Sequence, residues 1–251
     1  MFEVAATAYD RFMGVHSAKL APQLADLAGV RAGQRVLDVG CGPGVLTAEL
    51  VARVGPESVS AVDPSESFVA TARERQPDVD VQRAAAEQLP FPDDAFDAAL
   101  AQLVVHFMAD PVGGLREMVR VTRDGGSVAA CVWDHAGDRT PLTIFWQAAR
   151  SLNPNVQDES GRAGSRAGHL TELFEAAGAR DVRETALESA ATFETFEDWW
   201  EPFTFGVGPV GEYARALGDD QRAALRERCR ELLPAPPFTV RSFAWAARGL
   251  A

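Results

Sequence analysis

Apolar runs of strand length alternate with longer amphipathic stretches over most of this 251-residue chain. The first run is RVLDVG, and comparable runs follow as SVSAVD, VDVQRAA, FDAALAQLVV and GSVAACVW. Helix-patterned stretches such as VLTAELVARVG, PSESFVATARERQ and PVGGLREMVRVTR separate them. Alternation of this kind is typical of parallel strands joined by crossover helices. We therefore expect an α/β fold, a doubly wound sheet with helices on both faces.

Beyond this core, a helix pattern, HLTELFEAAG, precedes two more strand patterns near DVRETALES and FTVRSFAWAAR. Two segments, 134–168 and 193–237, do not belong to the alternation. Each is too short to bury a core of its own, so we interpret both as insertions and residues 1–251 as a single domain. The second insertion is rich in aromatic residues, which predicts a lid over a pocket and, together with the first, a substrate cap. The alternative is that these aromatic residues only pack the insertion onto the sheet.

Composition narrows the class of partner. A net charge of −12 and the lack of a basic stripe argue against a nucleic-acid or anionic membrane surface. No apolar run is long enough to cross a bilayer, and MFEVAATAYDRFMG lacks the features of a signal peptide. Cys41, Cys131 and Cys229 have no CxxC or metal-type spacing, which favours reduced thiols. We expect a cytoplasmic monomer or homodimer that acts on a small molecule, without a metal site.

Three glycines, Gly40, Gly42 and Gly44, lie between the first strand pattern and its helix. Because they lack a Cβ atom, they let a ligand approach the backbone at the carboxyl end of the sheet. A P-loop requires Lys and then Ser or Thr after the last glycine, whereas Val45 and Leu46 follow here. A dinucleotide fingerprint prefers glycine or alanine at the position of Val45. A dinucleotide therefore fits this loop poorly, but it remains a possible ligand. S-adenosylmethionine is the third possible guest.

The residues that decide among these guests resemble a known family. VLDVGCGPG resembles the first motif of class I S-adenosylmethionine-dependent methyltransferases, close to their UbiE-like small-molecule branch. VSAVDPSESFVATARE is similar to the second motif, AAAEQLPFPDDAFDAALAQLVVHFMADP to the third and fourth, and LREMVRVTRDGGSVAACVW to the last. The resemblance implies a Rossmann-like, mostly parallel seven-stranded sheet whose last strand is antiparallel. It also implies that residues 1–30 fold over the cofactor as a helical lid.

The implied cofactor is S-adenosyl-L-methionine, with S-adenosyl-L-homocysteine as product. Asp63 ends the second strand, where a carboxylate can accept hydrogen bonds from both ribose hydroxyls, and Asp38 lies where the methionine portion is expected. The family often has an acidic residue at the position of Ala85, so adenine recognition falls here to the backbone of Ala86 and Glu87. The predicted cofactor-binding residues are Tyr9, Ser17, Asp38, Gly40, Gly42, Gly44, Asp63, Pro64, Ala86, Glu87 and Gln102.

Histidines near the expected crevice are candidates for the acceptor side. His106 follows the fourth strand and His135 the fifth, while His16 lies in the N-terminal segment. We predict that His106, or failing that His16, orients or deprotonates the acceptor, although each could equally be a surface or loop-capping histidine. His169 begins a helix and is interpreted as a cap. The predicted substrate-binding residues are His135, Trp199, Trp200 and Phe203, which suggest an apolar or aromatic acceptor.

The predicted function is transfer of a methyl group to an oxygen, nitrogen or carbon atom of a small-molecule acceptor, held in line with the sulfonium. One alternative is a protein that retains the cofactor and has a non-methylating activity, since its cofactor motifs would look the same. A less favoured alternative is an NAD-dependent oxidoreductase. This sequence has no plausible Tyr/Lys hydride-transfer pair, which argues against it.

Overall fold

A computed structural model describes residues 6–251 of the chain. Within this range seven strands form one sheet in the order β3-β2-β1-β4-β5-β7-β6. The strands are β1 (Val36–Val39), β2 (Val59–Asp63), β3 (Asp80–Arg83), β4 (Phe96–Gln102), β5 (Thr122–Trp133), β6 (Arg180–Phe193) and β7 (Phe238–Leu250). The first five are parallel, whereas β7 runs antiparallel to both β5 and β6. The predicted seven-stranded sheet with an antiparallel last strand is confirmed.

Ten α-helices lie within the described residues. They are α1 (Ala6–Tyr9), α2 (Val15–Ala28), α3 (Val45–Val54), α4 (Glu66–Arg75), α5 (Pro111–Val121), α6 (Thr143–Leu152), α7 (His169–Ala176), α8 (Phe196–Trp200), α9 (Gly208–Ala216) and α10 (Asp219–Leu232). A π-helical turn, Asp10–Gly14, joins the first two, and 3₁₀ turns cover Pro56–Ser58, Val105–Phe107 and Glu201–Phe205. Among residues 6–251, no helix is both long and apolar enough to span a membrane.

The central strands are apolar on both sides because helices cover both faces of the sheet. Alternate residues of β4 divide between two hydrophobic cores: Ala98 and Leu100 belong to one, Ala99 and Ala101 to the other. The first core takes Leu20 and Leu24 of α2, the side chains of α3 and α4, and the aromatic residues of the insertions. The second core contains side chains of α5 and α7.

Short polar signals set where the connecting helices begin. Ser65 precedes α4 and its hydroxyl accepts a hydrogen bond from the Phe68 amide. Asp110 caps α5 in the same way through the Gly113 amide, and Pro111 occupies the first helical turn. These are the residue types expected at helix N-termini. Because of these caps, α4 and α5 begin close to the carboxyl edge of the sheet, where ligands bind in doubly wound folds.

The two segments predicted as insertions pack on each other. Helix α6 of the first lies against α10 of the second. Phe145 of α6 stacks on Phe203 at 5.0 Å between ring centroids and on Trp200 at 6.3 Å. Burying several aromatic rings against one another stabilises the two segments as a unit on one face of the sheet.

Candidate functional site

A cavity of about 370 Å³ opens at the carboxyl edge of β1, β2 and β4. Gly40, Gly42 and Asp63 line one end, and this cavity is called the main cavity below. A small compartment of about 20 Å³ is lined by Asp38 and Ser17 and shares Gly40 and Gly42 with the main cavity. The glycine segment therefore borders both spaces.

The backbone after β1 turns sharply to make this border. The amides of Gly40 and Cys41 both donate to the carbonyl of Val62, at 2.7 and 2.9 Å, which ties the loop to the end of β2. Gly40 has φ +73°, and a Cβ there would lie 2.5 Å from Cγ2 of Val104. Gly42 has φ +54°, and its missing Cβ would point into open space. Both glycines are needed for the left-handed backbone, and Gly42 also leaves room for a ligand.

Asp63 lies at the end of β2 and faces the glycine loop. Its Oδ2 accepts a hydrogen bond from the Gly42 amide at 2.9 Å, and its Oδ1 accepts one from the Ser65 amide at 2.8 Å. Each carboxylate oxygen can accept a second hydrogen bond. Burial raises the pKa of Asp63, and the two amide hydrogen bonds partly offset that rise. The side chain is thus held rigidly, with acceptor capacity toward the main cavity.

Two polar atoms beside the small compartment are buried without a hydrogen-bond partner among residues 6–251. They are Oδ1 of Asp38 and Oε1 of Gln102. The other carboxylate oxygen of Asp38 accepts from the hydroxyl of Thr47 at 2.7 Å, and the Gln102 amide donates to the carbonyl of Ser17 at 3.2 Å. Burial raises the pKa of Asp38 to about 7. Unpartnered buried acceptors indicate a donor from outside the described residues, such as a ligand or a water molecule.

The other predicted cofactor residues divide into two groups. Tyr9 and Pro64 line the main cavity, and Tyr9 also packs edge-to-face on Phe68 at 5.6 Å. Gly44, Ala86 and Glu87 line neither space. Gly44 has φ +97° and is the N-cap residue that immediately precedes α3.

Glu87 faces away from the two spaces toward the loop before α5. Its Oε1 accepts hydrogen bonds from the amides of Ala109 and Asp110. Ala86 is buried in the second hydrophobic core.

Three other buried side chains that line the main cavity lie close to one another. They are His106 of the 3₁₀ turn after β4, His135 just after β5, and Glu159 in the first insertion. One ligand-type atom of each lies within 4.8 Å of the others, and we call these residues the His–His–Glu cluster. The sequence predicted positions for both histidines near the crevice, whereas Glu159 was missed because the loop that carries it shows no motif.

The environment keeps both histidines of this cluster neutral at pH 7. Burial, with a smaller contribution from the nearby Arg162, lowers the pKa of His135 to about 4. Burial, His135 and Arg162 together hold the pKa of His106 well below its usual range. Burial also raises the pKa of Glu159 to about 7. Neutral imidazoles keep one ring nitrogen free to accept a hydrogen bond or to bind a cation.

The remaining predicted acceptor residues lie elsewhere in the structure. His16 is buried outside both spaces, with Nδ1 3.3 Å from the hydroxyl of Ser189 and its ring edge-on to Trp133. Trp199, Trp200 and Phe203 are buried in the aromatic cluster of the insertions and do not line the main cavity.

Other residues that were not predicted do line it. Val207 to Val210, which follow the aromatic cluster in the second insertion, border the main cavity, as does Trp133 at the end of β5. The indole nitrogen of Trp133 is buried without a partner among the described residues. His169 accepts a hydrogen bond from the Gly164 amide through Nδ1, at the turn that leads into α7.

Comparison with known proteins agrees with this arrangement. A family model described as a methyltransferase domain matches residues 37–130, the part that carries the glycine loop, Asp63 and His106. A demethylmenaquinone methyltransferase of Mycobacterium sp. (strain KMS) is 35% identical over 168 residues, covering 62% of this chain and 71% of that protein. The chain belongs to the S-adenosylmethionine-dependent methyltransferases, in their UbiE-like branch.

A further relative is similar to this methyltransferase in sequence, and a solved structure is similar to it in fold. A rice chloroplastic 2-methyl-6-phytyl-1,4-hydroquinone methyltransferase is 33% identical over 151 residues, which cover 59% of this chain but only 40% of that protein. The crystal structure of a Bacillus halodurans C-125 protein has a TM-score of 0.61 at 18% identity. It covers 92% of this chain and 97% of its own, which shows a shared fold. It is the match to the mycobacterial methyltransferase, rather than the shared fold, that shows this chain to be a methyltransferase.

Proposed function

We propose that the main cavity binds S-adenosylmethionine at its glycine end and a hydroquinone or related phenolic acceptor at its histidine end. One observation carries this proposal: Gly42 and Asp63 border the same cavity as Trp133, His106 and His135. A donor and an acceptor held in one cavity can react in line, and such alignment is worth up to roughly 7–11 kcal/mol of the barrier.

The residues at the glycine end fit this cofactor. Asp63 has acceptor capacity for the two ribose hydroxyls, and Gly42 leaves space where a side chain would obstruct the nucleoside. The unpartnered oxygens of Asp38 and Gln102 are suited to the ammonium group of the methionine portion. When bound, the cofactor supplies a methyl group already activated on a sulfonium. Tyr9, Pro64 and Ser17 border the same spaces and complete the proposed cofactor site.

The histidine end suits a ring that carries hydroxyl groups. Leu142, Phe12 and Val210 give the main cavity apolar walls, while Trp133 offers an N–H donor and the neutral imidazole of His106 an acceptor. An aromatic diol needs this combination of apolar walls and a few polar contacts. The named activities of the mycobacterial and rice relatives, which methylate a demethylmenaquinone and a hydroquinone, support the same class.

The chain's own residues then orient the acceptor and exclude water. His106 and His135 receive hydrogen bonds from an acceptor hydroxyl, which fixes the nucleophilic atom toward the glycine end. The segment 6–30 of the predicted lid and the insertions 134–168 and 193–237 are proposed to cap the site, because Tyr9, Leu142 and Val210 from these three segments all border the main cavity. Capping strengthens polar interactions by removing water.

Radiolabelled methyl transfer tests this proposal. We expect label from S-adenosylmethionine to appear in a reduced naphthoquinone or hydroquinone, with the Asp63→Asn variant strongly impaired. His106→Gln is expected to lower kcat/KM about 10- to 1,000-fold by removing an acceptor contact, and His16→Gln, a buried histidine outside the cavity, to leave it within about threefold. Cofactor binding without turnover on any hydroquinone, phenol or amine would instead support a non-methylating protein.

A further inference from the structure

We infer that the His–His–Glu cluster is a binding site for one divalent transition-metal ion at the acceptor end of the main cavity. His106, His135 and Glu159 come from three separate parts of the chain, yet one ligand-type atom of each lies within 4.8 Å of the others. Two imidazoles and one carboxylate form a common donor set for zinc and for ferrous iron. Metal–ligand bonds of about 2.0–2.2 Å require the three atoms to close by up to roughly 1.5 Å on binding.

Each of the two imidazoles has one ring nitrogen without a hydrogen-bond partner in the described part of the chain. Nδ1 of His106 and Nε2 of His135 are fully buried and have no hydrogen-bond partner among residues 6–251. Each histidine is only 6% exposed. Buried polar atoms of this kind are rare in folded proteins and point to an ion or a water.

The carboxylate is held in position by groups around it. Oε2 of Glu159 accepts a hydrogen bond from the indole nitrogen of Trp146 at 3.2 Å. The neighbouring Asp158 forms an ion pair with Arg150. The Arg150 guanidinium also donates to both carboxylate oxygens of Asp138, each at 2.9 Å. Hydrogen-bonded carboxylates and anchored loops are what orient metal ligands in known sites.

One positive charge lies close to the cluster. Arg162 approaches Oε1 of Glu159 at 3.9 Å, and its guanidinium also donates to the carbonyl of His106 and lies over the Phe107 ring. At that distance the ion pair is at the outer limit of a salt bridge, so the carboxylate keeps oxygen lone pairs for a cation.

The proposed ion would act on the acceptor. With three protein ligands that line the main cavity, it would have positions left to bind an acceptor oxygen, in place of the hydrogen bonds that the acceptor hydroxyl would otherwise donate to the histidines. This role rests on the proposed function, whereas the metal site itself does not. The donor set favours zinc, cobalt, iron or nickel over magnesium and calcium, which prefer oxygen ligands.

Calorimetric titration of chelator-treated protein with Zn²⁺, and visible absorption with Co²⁺, tests the site. We expect one ion per chain and a Co²⁺ spectrum typical of nitrogen and oxygen ligands. His135→Gln and Glu159→Gln should each weaken binding at least about 100-fold. His169→Gln is the matched control, because that histidine lies outside the cluster, and it should bind as tightly as the unmodified chain.

Circular dichroism and S-adenosylhomocysteine affinity establish that each variant is folded. Trp146→Phe keeps the packing and removes the hydrogen-bond donor to Glu159, so it should weaken metal binding about tenfold. This variant tests the site independently of the histidine variants, in case one of those misfolds. Failure of the unmodified chain to bind one ion, or equal binding by Glu159→Gln and His169→Gln, overturns the inference. Methyl transfer that persists in chelator without metal binding would refute the metal site alone. Metal binding without any methyl transfer would refute the proposed function alone.

Discussion

The imidazole rings of His106 and His135 lie 5.7 Å apart between centroids, with their planes at 54°. The two residues follow β4 and β5, which are neighbouring parallel strands whose pairing ends with Gln102 opposite Cys131. Parallel strands bring their carboxyl ends to the same edge of a sheet. The proximity of His106 and His135 is therefore a direct consequence of the strand order.

Replacing Asp63 by Asn should weaken S-adenosylhomocysteine binding about 10- to 200-fold. The substitution removes the charge that strengthens hydrogen bonds from the ribose hydroxyls, and such bonds are worth about 1.5–3 kcal/mol. Calorimetry measures the change. Asp80→Asn on β3 is the control, because its carboxylate is exposed and bonds to Gln82. Equal affinity of the two variants would contradict the assignment of Asp63.

Replacing Gly42 by Ala should separate stability from ligand binding. The added methyl group meets no protein atom within 4 Å, so the expected cost is the roughly 1–2 kcal/mol of a left-handed alanine. It projects into the space assigned to the nucleoside, so affinity for S-adenosylhomocysteine should fall at least about tenfold.

Gly29→Ala provides the matched comparison for this loop. Gly29 has φ +71° and also has nothing within 4 Å of an added Cβ, but it lies at the end of α2. We expect a similar loss in thermal stability with unchanged affinity. If both variants bind equally well, Gly42 does not border the ligand.

Affinity for S-adenosylhomocysteine should depend on pH through Asp38. Its pKa is raised to about 7 by burial, so below that pH the side chain is protonated and cannot attract the ligand's ammonium group. Between about pH 7 and 5.5 we expect affinity to fall up to roughly tenfold per pH unit. The raised pKa of Asp38 applies to the ligand-free protein, because a bound ammonium group would favour the ionised carboxylate and lower that pKa.

The Asp38→Asn variant isolates this contribution. It should bind more weakly at pH 7.5 and lose most of the slope, while any residual slope reports the nearby Asp63, whose pKa is also raised. Calorimetry across the pH range gives both curves. A slope that is the same in the variant and the unmodified chain would assign the titration to another group.

The aromatic cluster of the insertions should contribute chiefly to stability. Trp200 is buried against Phe145 and Phe196, so Trp200→Ala is expected to cost about 3–5 kcal/mol in the free energy of unfolding. S-adenosylhomocysteine affinity should stay within about twofold. Phe205→Ala, at a half-buried ring in the same segment, should cost much less. A Trp200 variant that is fully stable but inactive toward the acceptor would place Trp200 in contact with that acceptor.

Most of the fold could be predicted from local patterns. Each of the seven strands overlaps one of the strand patterns recognised in the sequence. The differences are at strand ends. β6 continues to Phe193 rather than ending near Ser189, because it pairs with β7 over its whole length. That pairing is non-local, and its extent has no signal in the strand itself.

The site was only partly predictable for the same reason. Asp63 and the glycines have a motif with fixed spacing, so they could be assigned from the sequence. Glu159 lies 53 residues after His106 in a loop without regular structure, and only the packing of the first insertion brings the two together. His16 illustrates the reverse case: its position in the chain suggested the crevice, but the pitch of α2 directs it to Ser189.

A crystal structure with S-adenosylhomocysteine tests the central claim most directly. We predict that both ribose hydroxyls lie within hydrogen-bond distance of the Asp63 carboxylate, that the amino group approaches Asp38, and that the sulfur faces the cavity wall formed by His106 and His135. An adenosine bound elsewhere, or an Asp63 carboxylate without contact to the ribose, would contradict the account.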